Sequence, residues 1–206
     1  MKMRINSIVD MAQAILAERV GSAARLVDAT AGNGKDTLFL AQNSPPHATV
    51  WSLDIQPEAL CKSRRLAEEN GVANKVRFIL DSHANLASYL DWADVVMFNL
   101  GYCPGGDRTV FTKPDSTVAA IKAAAELLTP QGLLSIVAYP GTEAGFCEHA
   151  AVQDLVSHLP RPDFFVWCWQ AVNAVNTTNP AVSSPILYIV FRTGRSKDKG
   201  DKETKQ

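Results

Sequence analysis

The stretch "VMFNLGYCPGGD", residues 96–107, contains residue types from which a reaction could be built. An apolar run ends in Asn99-Leu100-Gly101-Tyr102, and a Pro-Gly-Gly loop follows. At a strand end, the Asn99 side-chain oxygen and the Leu100 carbonyl can accept protons from an amine while its lone pair points at an electrophile. Gly101 lets the turn approach closely, and Tyr102 can stack on a planar base. An aliphatic amine starts with a pKa near that of lysine, about 10.4, and must lose a proton before it attacks. Asp107 and His83 are the candidate acceptors of that proton.

A second constellation lies upstream in "LVDATAGNGKDTLFLA", residues 26–41, which reads as a strand, a tight glycine-rich turn and a helix. Asp28 ends the strand, and Gly32 and Gly34 permit backbone conformations and an approach that a Cβ would block. The helix start then presents free N–H groups to an anionic part of a ligand. Two nucleotide readings fit poorly. A dinucleotide turn needs glycine where Thr37 stands, and a P-loop needs Ser or Thr where Asp36 follows Lys35. The next strand ends in Asp54, followed by Ile55 and Gln56, and a carboxylate there can accept from both hydroxyls of a ribose. A ligand with a ribose but no pyrophosphate tolerates Asp28 and Asp36 nearby. S-adenosylmethionine meets those conditions, because its amino group and sulfonium are cationic and its carboxylate suits a helix N-terminus. A third strand ends in "LDSHANL", which puts Asp81, Ser82 and His83 on the adenine side.

These residues need elements that bring them together. "ARLVDA" (24–29), "TVWSLDI" (49–55), "VRFILD" (76–81), "DVVMFNL" (94–100) and "LLSIVAYP" (133–140) are apolar runs of strand length. Helical stretches cover 7–20, 34–42, 57–70, 115–128 and 143–159. The alternation predicts an α/β protein with a doubly wound, mostly parallel sheet and helices on both faces. Its fourth strand lies beside its first, so Asn99 emerges next to the glycine-rich turn. "DFFVWCWQAV" (163–172) and "PILYIVFRT" (185–193) have no helix between them and predict an antiparallel hairpin at one edge. One domain over residues 1–193 is expected, with 194–206 a disordered, charged tail.

Composition narrows the class. The chain has 206 residues, 47% of them apolar, with a formal net charge of −1, so it is not a protein that coats nucleic acid by bulk charge. No window approaches the roughly 18 consecutive apolar residues of a membrane span, and the N-terminus lacks a continuous signal-peptide core. A cytoplasmic protein is expected. Cys61, Cys103, Cys147 and Cys168 are widely spaced without a Cys-x-x-Cys pair, which reads as reduced, mostly structural thiols and no metal site. The apolar helix faces could pack internally or across a homodimer.

"NLGY" resembles a variant of the Asn-Pro-Pro-Tyr motif of amine-directed S-adenosylmethionine methyltransferases. Taken with "VDATAGNGKDTLFLA", "DIQ" (54–56) and "TKPDSTVAAIKAAAELLTPQGLLSIVAYPG", residues from about 7 to 193 resemble the family first described as rRNA methylases. Its members are assigned as tRNA 5-aminomethyl-2-thiouridine methyltransferases of the wobble position. The resemblance implies a Rossmann-like class I methyltransferase fold, S-adenosylmethionine as donor and a tRNA anticodon loop as partner. For the cofactor it implies Asn33, Asp36, Asp54, Gln56, Ser82 and His83; with the turn read above, Asp28, Thr30, Gly32, Gly34, Thr37, Ile55 and Asp81 complete the expected site. Asn99, Leu100, Gly101 and Tyr102 form the expected reacting centre, with Asp107, Lys113 and Tyr139 close to the substrate.

Two segments depart from the family. After the fifth strand the family usually reads Tyr-His-Gly-His-Glu-Gly-Gly, whereas this chain has Tyr139-Pro140-Gly141-Thr142-Glu143-Ala144-Gly145 and so lacks both histidines. The family's Asn-Asn-Pro-Pro segment corresponds here to the longer "NTTNPAVSSPILYIV". Other acceptors consistent with the same cofactor are an rRNA base amine and a small-molecule amine. A cofactor-binding module without catalysis is the alternative from another class.

Overall fold

The apolar runs and helical stretches alternate in space as they do along the chain. A computed structural model describes residues 6–101, 112–171 and 184–194. In chain order the elements are α1 (Ile8–Val20), β1 (Arg25–Asp28), α2 (Lys35–Asn43), β2 (Thr49–Asp54), α3 (Pro57–Glu69), β3 (Val76–Leu80), β4 (Ala93–Asn99), α4 (Pro114–Leu127), β5 (Leu128–Ala138), α5 (Glu143–Ser157), β6 (Phe164–Gln170) and β7 (Ile186–Arg192). Local chemistry sets several boundaries. The Ser7 hydroxyl accepts the Asp10 N–H ahead of α1, Thr142 does the same for Gly145 ahead of α5, and Pro57 and Pro114 open α3 and α4 where no N–H is needed.

The strands form one seven-stranded sheet in the order β3-β2-β1-β4-β5-β7-β6. Pairings among β1 to β5 are parallel, and β7 runs antiparallel to both β5 and β6. Chain direction across the sheet reverses between β1 and β4, which opens a crevice at their carboxyl ends. Both faces are covered. In β4, Val95 and Met97 pack with Leu16, Leu26 and Leu40, while Val96 and Phe98 join Ile121, Leu134 and Val152 on the other side. At the far end of the strands Asp94 accepts the backbone N–H groups of Ala24 and Arg25 and the Thr129 hydroxyl, and it pairs with Arg19.

One boundary differs from the periodicity. The chain passes from α4 at Leu127 directly into β5 at Leu128, with no loop before residue 133. Residues 129–132 form a bulge: Ala93 pairs with Leu128 and Val95 with Leu133, and Gln131 takes a φ of 65°. A bulge accommodates Pro130, which has no N–H for a ladder. Cys61, Cys147 and Cys168 are free, as expected of reduced thiols, and lie exposed at the surface. Cys103, the hairpin loop and the charged tail lie outside the described residues. Among the described residues no helix is long and apolar enough to cross a membrane.

Candidate active site

Residues 29–34 form the floor of the crevice. This loop spans the neighbours of β1: the Ala29 N–H donates to the Met97 carbonyl at 2.9 Å and the Ala31 N–H to the Leu53 carbonyl at 2.8 Å. Gly32 and Gly34 both have positive φ, 50° and 80°. A Cβ on Gly34 would lie 2.6 Å from the Ser63 Cα, so glycine also lets α3 close against the loop. Beneath the loop, Asp28 is fully buried. Its Oδ1 accepts the Thr30 N–H and its Oδ2 the Thr37 hydroxyl at 2.6 Å, and Thr37 is also bonded to Ser52. Burial, with the Asp36 carboxylate beside it, pushes the Asp28 pKa up to about 7. Asp28, Gly34 and Thr37 were expected to touch the cofactor. They lie outside the cavity lining and shape the loop from below.

The second and third strands contribute carboxylates. Asp54 binds the Gly32 N–H through Oδ2 and the Gln56 N–H through Oδ1, each at 2.9 Å. Each carboxylate oxygen has a second lone pair for a ligand hydroxyl. Asp81 accepts from Tyr89, Asn85 and the Ser82 N–H, and these bonds, led by that from Tyr89, hold its pKa low. Ser82 caps a short 3-10 turn through Ala84. His83 sits in that turn, edge-on to the Phe98 ring. Burial lowers its pKa, and its Nε2 has no hydrogen-bond partner among the described residues.

Asn99 ends β4 above the loop. Its N–H donates to the Thr30 hydroxyl at 2.8 Å, and its amide nitrogen faces Asp36 Oδ2 at 3.5 Å. Gln13, from α1, donates to Asp36 Oδ1 at 2.8 Å. Burial raises the Asp36 pKa, while its bonds from Gln13 and Asn99 act the other way. Tyr139 closes the corner: burial and the Asp36 charge raise its pKa, and a hydrogen bond from Asn99 offsets part of the rise. Leu100 is fixed by its N–H to the Val137 carbonyl at 2.9 Å. Gly101 has a φ of 115°. It exchanges two bonds with Thr112, N–H to hydroxyl at 2.8 Å and carbonyl to N–H at 3.0 Å. Thr112 and Thr117 in turn donate to Glu148, a carboxylate of α5 that is 3% exposed.

The resulting cavity of about 940 Å³ is lined by loop residues Thr30, Gly32 and Asn33, by Asp36, by Asp54, Ile55 and Gln56, by Asp81, Ser82 and His83, and by Asn99, Leu100 and Gly101. Lys113 and Tyr139 complete its rim, whereas Tyr102 and Asp107 lie outside the described residues. Asp10, Asp36, Asp54 and Asp81 line it together with Lys35 and Lys113. That excess of carboxylates suits a ligand with positive charge and disfavours a pyrophosphate. Ile55 is 53% exposed on the wall, an apolar surface that a planar base would cover. These features fit S-adenosylmethionine. Gln13 and Asp10 of α1 and Thr112 also line the cavity, although none was singled out from sequence. Asp10 and Gln13 lie three positions apart and so share a face of α1, but polar residues there read equally well as a solvated face.

The fold and cavity are those of the class I S-adenosylmethionine-dependent methyltransferases. The profile of the family described as "Putative rRNA methylase" matches residues 50–184, and the chain belongs to this family. It is 31% identical over 179 residues to the chloroplastic tRNA (mnm(5)s(2)U34)-methyltransferase of Arabidopsis thaliana, a match covering 81% of this chain and 62% of that protein. The chain thus spans about three fifths of that relative's length. A Clostridium thermocellum structure described as a "putative rRNA-methylase" superposes with a TM-score of 0.85 at 31% identity, covering 92% of this chain and 99% of that one. A Streptococcus mutans methyltransferase in complex with SAH superposes with a TM-score of 0.80, at the same identity and coverage.

Proposed function

We propose that this protein transfers a methyl group from S-adenosylmethionine to the primary amine of 5-aminomethyl-2-thiouridine at the wobble position of tRNA. The carrying observation is Asn99: it stands at the β1/β4 reversal, in the cavity wall, with its backbone tied to the glycine-rich loop by Thr30. The Arabidopsis relative, whose name specifies a wobble uridine bearing methylaminomethyl and thio groups, supports the choice of acceptor.

When bound, the cofactor supplies a methyl carbon on a sulfonium, a good leaving group. The chain's residues must therefore position and stabilise rather than form covalent bonds. Asn99 Oδ1 and the Leu100 carbonyl accept hydrogen bonds from the amine's N–H groups and aim its lone pair, and the proton the amine loses passes to water. Asp54 holds the ribose end, and the Gly32–Gly34 turn brings α2 close enough for its N–H groups to meet a carboxylate. The carboxylates around the cavity stabilise the cationic donor. Tyr139, 38% exposed beside Gly101, offers a face to the incoming nucleoside.

The test is nucleoside mass spectrometry of tRNA carrying 5-aminomethyl-2-thiouridine after incubation with the protein and S-adenosylmethionine. A gain of one methyl on that nucleoside is expected. No gain, with S-adenosylhomocysteine still bound, would refute the acceptor and leave the donor standing.

A further inference from the structure

An asparagine side chain is planar, with one end that donates and one that accepts, and only one of its two orientations serves an amine. With Oδ1 toward the cavity it accepts a hydrogen bond from the amine; with the NH₂ group there, it presents hydrogen to hydrogen. Something must choose.

Asp36 is placed to do so. It lies in the first turn of α2 and is 6% exposed. Its oxygens go to side chains of two other elements: Oδ1 takes the Gln13 amide of α1, and Oδ2 faces the Asn99 amide nitrogen of β4. Both oxygens of this carboxylate accept from amide nitrogens, so the end of Asn99 turned toward it is the NH₂. With its nitrogen turned to Asp36, Asn99 is left with Oδ1 for the cavity. We propose that Asp36, steadied by Gln13, is a positioning residue that selects the orientation of Asn99 in which Oδ1 faces the incoming amine. This rests on the amine reading above.

Replacing Asp36 by Asn should reverse the choice. The new amide keeps its oxygen on Gln13 and offers an N–H toward Asn99, which turns its own oxygen inward and its NH₂ outward. The experiment is a double-mutant cycle of Asp36→Asn and Asn99→Ala, read as single-turnover methyl transfer to 5-aminomethyl-2-thiouridine tRNA at saturating cofactor, with S-adenosylhomocysteine affinity measured alongside. Asn99→Ala should slow transfer about 100-fold with S-adenosylhomocysteine affinity kept within about threefold, and Asp36→Asn, read at cofactor concentrations that saturate that variant, should slow it about 10- to 100-fold. The double variant should be no slower than Asn99→Ala alone, because residues acting through one another are not additive. Gln13→Leu, a milder change should Asp36→Asn fold poorly, should slow transfer severalfold, again only when Asn99 is present. Losses that multiply in the double variant would overturn the proposal, as would a wild-type rate for Asp36→Asn. A wild-type rate for Asn99→Ala would instead remove the amine-orienting reading on which it rests.

Discussion

The backbone N–H of Asn99 donates to the hydroxyl of Thr30 at 2.8 Å. This bond joins the end of β4 to the glycine-rich loop after β1, so Asn99 and the loop, the proposed contacts of acceptor and donor, are set relative to each other. Thr30→Val keeps the shape and removes the acceptor. It should lower stability by about 1–2 kcal/mol, the cost of an unmatched N–H. Chemical denaturation checks that loss, and single-turnover methyl transfer should slow with it.

Gly34→Ala should be among the more damaging single changes in the chain. The added Cβ meets the Ser63 Cα at 2.6 Å, and the residue is held at a φ of 80°. Left-handed backbone strain and overpacking together predict a loss of about 2–4 kcal/mol. Thermal unfolding measures it, and S-adenosylhomocysteine affinity should fall in parallel.

Asp28 makes stability depend on pH in an unusual direction. Its pKa rises from 3.8 to about 7 on folding, so between these values the folded chain keeps a proton that the unfolded chain releases. The stabilisation is complete below about pH 4 and is lost as pH rises through 7. Asp28→Asn removes the dependence, since the amide oxygen can still accept from Thr30 and its NH₂ can donate to Thr37. At pH 8 the variant should exceed the wild type by on the order of 3 kcal/mol. Urea titrations at pH 5 and pH 8 check this, and equal slopes for the two proteins would contradict it.

Glu148 acts on the turn after Asn99 from α5. It receives two hydroxyl hydrogens, and Thr112 passes the constraint to the Gly101 N–H. Glu148→Gln offers one acceptor oxygen in place of two and puts an NH₂ against a threonine. A stability loss of about 1–2 kcal/mol is expected. Methyl transfer should slow severalfold with S-adenosylhomocysteine affinity unchanged, as isothermal titration would show.

The parts of the site that belong to one strand and its turn were legible in the residues. Gly32 with Gly34, Asp54 after an apolar run, and Asn99 before Gly101 each carry their chemistry within a few positions, and parallel topology brings strand ends together at a reversal. Gln13 was not legible. It lies 23 positions from Asp36, on a helix whose polar residues read equally well as a solvated face.

Asp28 marks the boundary most clearly. Its place at the end of β1 follows from the sequence, because an apolar run stops there before a glycine-rich turn. Whether it opens into the crevice or turns beneath the loop does not follow. In a sheet covered by helices on both faces, alternate strand positions are apolar alike, so the run carries no mark of which face a given residue takes. Tertiary structure decided it: Thr37 from α2 and Ser52 from β2 supply buried hydroxyls under the loop, and a carboxylate that must be buried goes where its hydrogen-bond partners are. The same holds for Asp36 and Asn99, whose relation exists only because α1, α2 and β4 meet at one corner of the sheet.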